Sequence, residues 1–321
     1  MDYLAPPYRK GEWRMGINMI GARNIHIVGV TVNQSGGDGL YIGGTSAKAG
    51  GLANSVNVTV ADVLLVGNNR QGLSICAAQN LLVERSVFAE TNGTGPSSGV
   101  DFEPNSIHNK LENITLRDCI SRDNANMAYG GGLHSVGAQE ISIVLDNCTA
   151  TGGPRGGFFM EYVSSATTGS ILYKNCLAFD LGESAVATEH KEGGPTMSFV
   201  NCTFRNVSSN FRGYNATVPC SVPVWSRTVG PGHDDKWYCT PIYLSHKRSE
   251  GGVHFANCSL HDDYARDWLW ANPFEAGERV YNVTGEVDVY NPYGCSANVS
   301  ANVFNVTLKA RCHTNPAGLL P

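Results

Sequence analysis

One dipeptide step recurs along this chain and limits what it can fold into. Asp118-Cys119, Asn147-Cys148, Asn175-Cys176, Asn201-Cys202 and Asn257-Cys258 each close a short run of alternating apolar residues. Five of the ten cysteines thus share one local context. A cysteine that returns at one position of a repeat packs as a small, stacked hydrophobe rather than as a disulfide partner. No CxxC or HxxxH spacing turns the same residues into a metal site.

The runs before these steps form one family. Asn24-Ile-His-Ile-Val, Asn80-Leu-Leu-Val, Asn113-Ile-Thr-Leu, Ile141-Ser-Ile-Val and Val253-His-Phe-Ala all alternate with period two. A second element follows, led by glycine: Gly39-Leu-Tyr-Ile, Gly72-Leu-Ser-Ile, Gly99-Val-Asp-Phe, Gly132-Leu-His-Ser and Gly157-Phe-Phe-Met. Its steps are 33, 27, 33 and 25 residues. Period two excludes helical repeats, which need 3.6. A rung this short cannot bury its apolar row alone, so rungs must stack. The prediction is an all-β chain, a right-handed parallel β-helix with rungs of roughly 25–30 residues. Its expected inward stacks are Leu40/Leu73/Val100/Leu133/Phe158 and Ile42/Ile75/Phe102/Ser135/Met160. A propeller blade is too long for these steps, and a sandwich has no reason to repeat Asn-Cys in register.

Residues 1–20 read as a truncated lead-in and 21–321 as one solenoid domain. Between 208 and 241 the repeat lapses into a segment with Pro219, Pro223, Trp225, Pro231 and Trp237, read as an insertion over one face. Beyond about 260 the pattern loosens into irregular last rungs or a cap. Cys220 with Cys239 and Cys295 with Cys312 are the expected disulfides, which implies an oxidising compartment. Twelve N-x-S/T sequons point the same way: Asn33, Asn57, Asn92, Asn113, Asn147, Asn201, Asn206, Asn215, Asn257, Asn282, Asn298 and Asn305. In the Asn-Cys-Thr/Ser steps of Asn147, Asn201 and Asn257, Asn and Thr also suit plain turn and ladder positions. The opening Met-Asp-Tyr-Leu-Ala-Pro-Pro is no signal peptide, so the expectation is a secreted or cell-surface protein represented by a fragment.

Net charge is −5 and only 16% of residues are charged, which offers nothing to nucleic acid. No stretch is long and apolar enough for a transmembrane helix. The chain is expected to act as a monomer on a polysaccharide, without a cofactor; calcium has no supporting motif.

Stacking also gives geometry. In the glycine-led strand the residue after the first apolar position points outward, giving the column Tyr41, Ser74, Asp101, His134, Phe159. Two residues on comes Gly43, Cys76, Glu103, Val136, Glu161. Ahead of the strand lie Asp38, Arg70, Arg155 and Glu183. Asp101, Glu103, His134 and Glu161 are therefore the candidate catalytic groups. Arg70, Arg155, Asp38, Tyr41 and Phe159 are the candidate substrate contacts, with Tyr129 and Tyr162 as further sugar-stacking rings. Crowded carboxylates raise each other's pKa and can make one a proton donor near neutrality. Asp101 and Glu103, two apart on one strand, would lie about 6–7 Å apart, near the low end for inverting glycoside hydrolysis. Alternatively, the arginines would clamp uronate carboxylates while His134 abstracts a proton. An acidic outward stripe is also what solvation alone produces. Glu189-His190-Lys191-Glu192 reads first as a charged loop and second as an extension of the groove, and Asn105, Asn124 and Asn126 suit turn caps and ligands equally.

Several of these segments together resemble right-handed β-helix proteins of the pectate-lyase-like superfamily. They are Glu12-Trp-Arg, Gly21-Ala-Arg-Asn-Ile-His-Ile-Val, Ser35-Gly-Gly-Asp-Gly-Leu-Tyr-Ile-Gly, Asn69-Arg-Gln-Gly-Leu-Ser-Ile and Gly99-Val-Asp-Phe-Glu-Pro-Asn. The resemblance covers roughly residues 12–205. It implies a secreted or cell-surface polysaccharide-active protein: a lyase, glycoside hydrolase or uronan epimerase. It also implies a groove on one parallel sheet, with acidic residues and an Arg or Lys in outward columns; Asp101, Glu103, His134 and Arg70 suit that pattern. The polygalacturonase set (Asn-x-Asp, Asp-Asp, Gly-His-Gly, Arg-x-Lys) and the Asp-Pro-His of mannuronan epimerases are both missing. A lyase or hydrolase is the leading expectation. A glycan-binding or adhesion solenoid is the alternative, and a degenerate gene product the third.

Overall fold

The structure is a computed structural model; it describes residues 11–45, 54–163, 165–190, 193–209, 240–244, 249–273 and 277–314. Its strands form two parallel sheets, one of ten strands and one of eighteen. Each full rung lends one short strand to the smaller sheet and a longer run, split by a turn, to the larger one. This is the expected parallel β-helix. The first described strand, Ile17–Ile20, already pairs with Leu40–Gly43, so the solenoid begins within the anticipated lead-in. It continues to Lys309–His313, which pairs with Val280–Tyr290. Most of the expected insertion lies outside the described residues. Ile242–Leu244 resumes the smaller sheet on its far side, against Val186–Thr188.

The Asn-Cys step has a simple cause. Asp118, Asn147, Asn175, Asn201 and Asn257 all sit at the turn inside the larger sheet, with φ between 52° and 56°. That left-handed conformation is costly for most side chains and tolerable for Asn and Asp. The next residue points into the core, so Cys119, Cys148, Cys176, Cys202 and Cys258 are all buried and free. Each thiol reaches a carbonyl two residues back and one on the preceding rung; for Cys148 these are Asp146 at 3.7 Å and Leu116 at 3.5 Å. Aromatic stacks continue the core beside them. Tyr173 lies on Phe199 at 4.5 Å between centroids, and Phe199 on Phe255 at 5.2 Å. Of the two expected disulfides, Cys295–Cys312 is formed; Cys220 and Cys239 lie outside the described residues.

One rung departs from the expected register. Val100 pairs with Tyr129, and Tyr129 with Phe158. The strand is Tyr129–Gly131, and Leu133–Ser135 is a 3-10 turn. The inward stacks are thus Leu40/Leu73/Val100/Tyr129/Phe158 and Ile42/Ile75/Phe102/Gly131/Met160. Tyr129 is fully buried, stacks on Phe158 and donates its hydroxyl to the Cys119 carbonyl at 3.0 Å. It is core rather than a sugar platform. Gly131 is required beneath Met160 and Phe102, since a Cβ there would come within 2.9 Å of the sulfur. The leading glycine itself is dispensable: Ala128 takes that place on this rung. A pattern that insisted on glycine therefore slipped by four residues.

Candidate functional site

The ten-stranded sheet carries the densest set of charges on its outer face. Asp38 precedes the strand Leu40–Gly43 and is fully buried. Its carboxylate accepts from Ser74 Oγ at 2.8 Å and from Arg70 at 3.3 Å. Arg70 then reaches Glu103 on the next rung at 2.7 Å. Gln71, beside Arg70, donates to Asp101 at 2.8 Å while its carbonyl accepts from the Ser98 amide. Rungs that begin 33 and 27 residues apart therefore deliver Asp38, Arg70, Asp101 and Glu103 to one place.

These contacts split the carboxyls. Asp101 is only 6% exposed, and burial, reinforced by the negative charge of Glu103, pushes its pKa up to about 7. Burial also raises Asp38 to about 6, against the pull of Arg70 and Ser74. Glu103 is ion-paired and its side chain stays one-third exposed. Two rungs further on, burial holds Glu161 at about 7, and Glu161 lies in register with Glu189. A carboxyl kept protonated near neutral pH can donate a proton, and an ionised one nearby can accept or stabilise positive charge.

Other expected members fall differently. Opposite Asp101 stands Gly130, not His134. His134 is exposed on the 3-10 turn, outside the column. Val136, expected outward, is fully buried. Arg155 pairs with Glu183 at 2.7 Å. Tyr41 folds over Gly43 with 9% exposure and its hydroxyl lies 3.4 Å from the Asn105 amide, so its ring is covered. Phe159 keeps its place in the column and is half-buried. Tyr162's side chain lies outside the described residues. Gln71 and Ser74 were not singled out from sequence. The signal was the register itself, which sets Gln71 opposite Asp38.

Among the described residues no group of three or more His, Cys, Asp or Glu side chains is arranged to hold a metal ion. Two surface hollows lie away from this face. One runs along the asparagines of the larger sheet and the other at the N-terminal end of the solenoid.

No protein-family model matches the chain, and no curated protein matches it. A similar solved structure is the crystal structure of the Agl-KA catalytic domain. The two share 11% identity with a TM-score of 0.40, over 89% of this chain and 47% of that one. The chain thus spans about half the length of that structure.

Proposed function

We propose that the chain cleaves a polysaccharide by acid–base chemistry on the ten-stranded sheet, with Asp101 as proton donor and the Arg70-paired Glu103 as its partner. The observation that carries this reading is the contrast within one strand end. Asp101 is buried at a pKa of about 7, while Glu103, two residues on, is fixed by Arg70 and partly open to solvent. Arg70 spends its guanidinium on Asp38 and Glu103, and Arg155 contacts Glu183. His134 stands outside the column. Those placements favour glycoside hydrolysis over proton abstraction from an arginine-clamped uronate. Glu161 and the half-buried Phe159 would extend the sugar-binding face.

The test is incubation of the purified chain with pectins, alginates and neutral glycans. New reducing ends without unsaturated products support hydrolysis. Unsaturated products would instead make it a lyase. The depth of Asp101 favours one second reading, a glycan-binding solenoid, which predicts saturable binding with no products.

A further inference from the structure

The larger sheet bears two files of left-handed asparagines on its outer face. In the first, Asn57, Asn80 and Asn113 each donate Nδ2 to the asparagine of the preceding rung, at 3.0, 3.0 and 2.9 Å. In the second, Asn147 donates to Asp118 at 2.7 Å and Asn201 to Asn175 at 3.3 Å. Both files are exposed. The sequons fall on them at every other rung up to Asn201, and Asn257 on the next rung heads another. Asn57 and Asn113 head N-x-T, while Asn80 between them is followed by Leu-Leu. Asn147 and Asn201 head N-x-T, while Asn175 between them is followed by Cys-Leu. Two rungs are roughly 10 Å, enough to set neighbouring sugar stalks side by side.

The described sequon asparagines avoid the interior. Ten of the eleven described ones are exposed and none is buried. The six buried asparagines, Asn54, Asn68, Asn69, Asn109, Asn124 and Asn291, head no sequon. Turn chemistry explains Asn at these positions, and the Thr two places on lies on a strand of the same sheet.

We infer that this sheet is the protein's glycan-bearing face, with N-linked glycans on Asn57, Asn113, Asn147 and Asn201. The ladder permits it. An amide Nδ2 carries two hydrogens, and the ladder uses one. Nδ2 bonds to C1 of an oligosaccharide carried on a lipid pyrophosphate. The C1–O bond breaks, and the displaced proton leaves with the lipid pyrophosphate. One N–H remains for the neighbouring rung. The hollow between Asn57 and Asn113, lined by His26, Thr59, Leu82 and Thr115, offers the first sugar a partly apolar floor. The acidic cluster lies on the other sheet, so a sugar coat here would leave it bare. This inference stands apart from any catalytic role.

The experiment uses the full chain purified from its own source. Treatment with a peptide-N-glycosidase in ¹⁸O-water followed by peptide mapping should convert Asn57, Asn113, Asn147 and Asn201 to labelled aspartate. Asn80 and Asn175 should remain asparagine. Asn57→Gln and Asn113→Gln should each remove the mass of one glycan. Unlabelled ladder sequons, with or without label at Asn33 or Asn92, would overturn the inference.

Discussion

Arg70 lies 2.7 Å from Glu103 on the neighbouring rung, and the same guanidinium covers the buried Asp38 at 3.3 Å. Removing it should be costly. Arg70→Met leaves Asp38 with Ser74 as its remaining partner in a site with no solvent access. Breaking a buried pair from one side costs about 3–5 kcal/mol. Urea unfolding should show a loss of that order, and Asp38→Asn in the same background should recover part of it.

Stability should fall as pH rises toward neutrality. Asp101 titrates near 7 in the folded chain because burial, then Glu103, disfavours its charge. An unfolded aspartate releases its proton near 3.9. Between those values the native state holds a proton that the unfolded chain has lost. The contribution is therefore greatest below the unfolded value and declines up to about pH 7. Melting should be higher near pH 5 than near pH 8, and Asp101→Asn should flatten the difference. An unchanged slope in the variant would remove Asp101 from the account.

The stacked thiols should be inert until the chain unfolds. Native alkylation followed by peptide mapping should leave Cys119, Cys148, Cys176, Cys202 and Cys258 unmodified. The column also accommodates a hydroxyl: Ser86 occupies it one rung before Cys119 and donates to the Glu84 carbonyl at 2.7 Å. Cys176→Ser should therefore cost about 1 kcal/mol or less. Cys176→Leu, which overfills the stack, should cost about 1–3 kcal/mol.

At Asn175, which holds φ 56° without heading a sequon, alanine and glycine should separate. Asn175→Ala carries a Cβ into the left-handed region and should lose about 1–2 kcal/mol, whereas Asn175→Gly should lose less. Equal losses would mean that the ladder bond, not the backbone, selects asparagine.

Much of this was legible in the chain because a solenoid writes its register into its sequence. The Asn-Cys step located the turn and the inward thiol together, and spacing alone found Cys295 with Cys312. Asp38, Arg70, Asp101 and Glu103 come together because their rungs lead with glycine, which fixed their columns. The fourth rung defeats that logic. Gly130-Gly131-Gly132 allows more than one register, and the deciding contact is the stacking of Tyr129 on Phe158. His134 and Val136 were displaced with it. Gln71 was overlooked because its role comes from the rung it faces rather than from its neighbours.

The most direct measurement is cleavage by the wild-type chain beside Asp101→Asn and Glu103→Gln, each checked for an unchanged far-UV spectrum. The account predicts new reducing ends on at least one polysaccharide from the wild type. It predicts a drop of roughly 10²–10⁴-fold in both variants, with wild-type activity declining as pH rises through about 7. Cleavage that survives both substitutions, or a wild type that binds glycans and never cuts them, would contradict it.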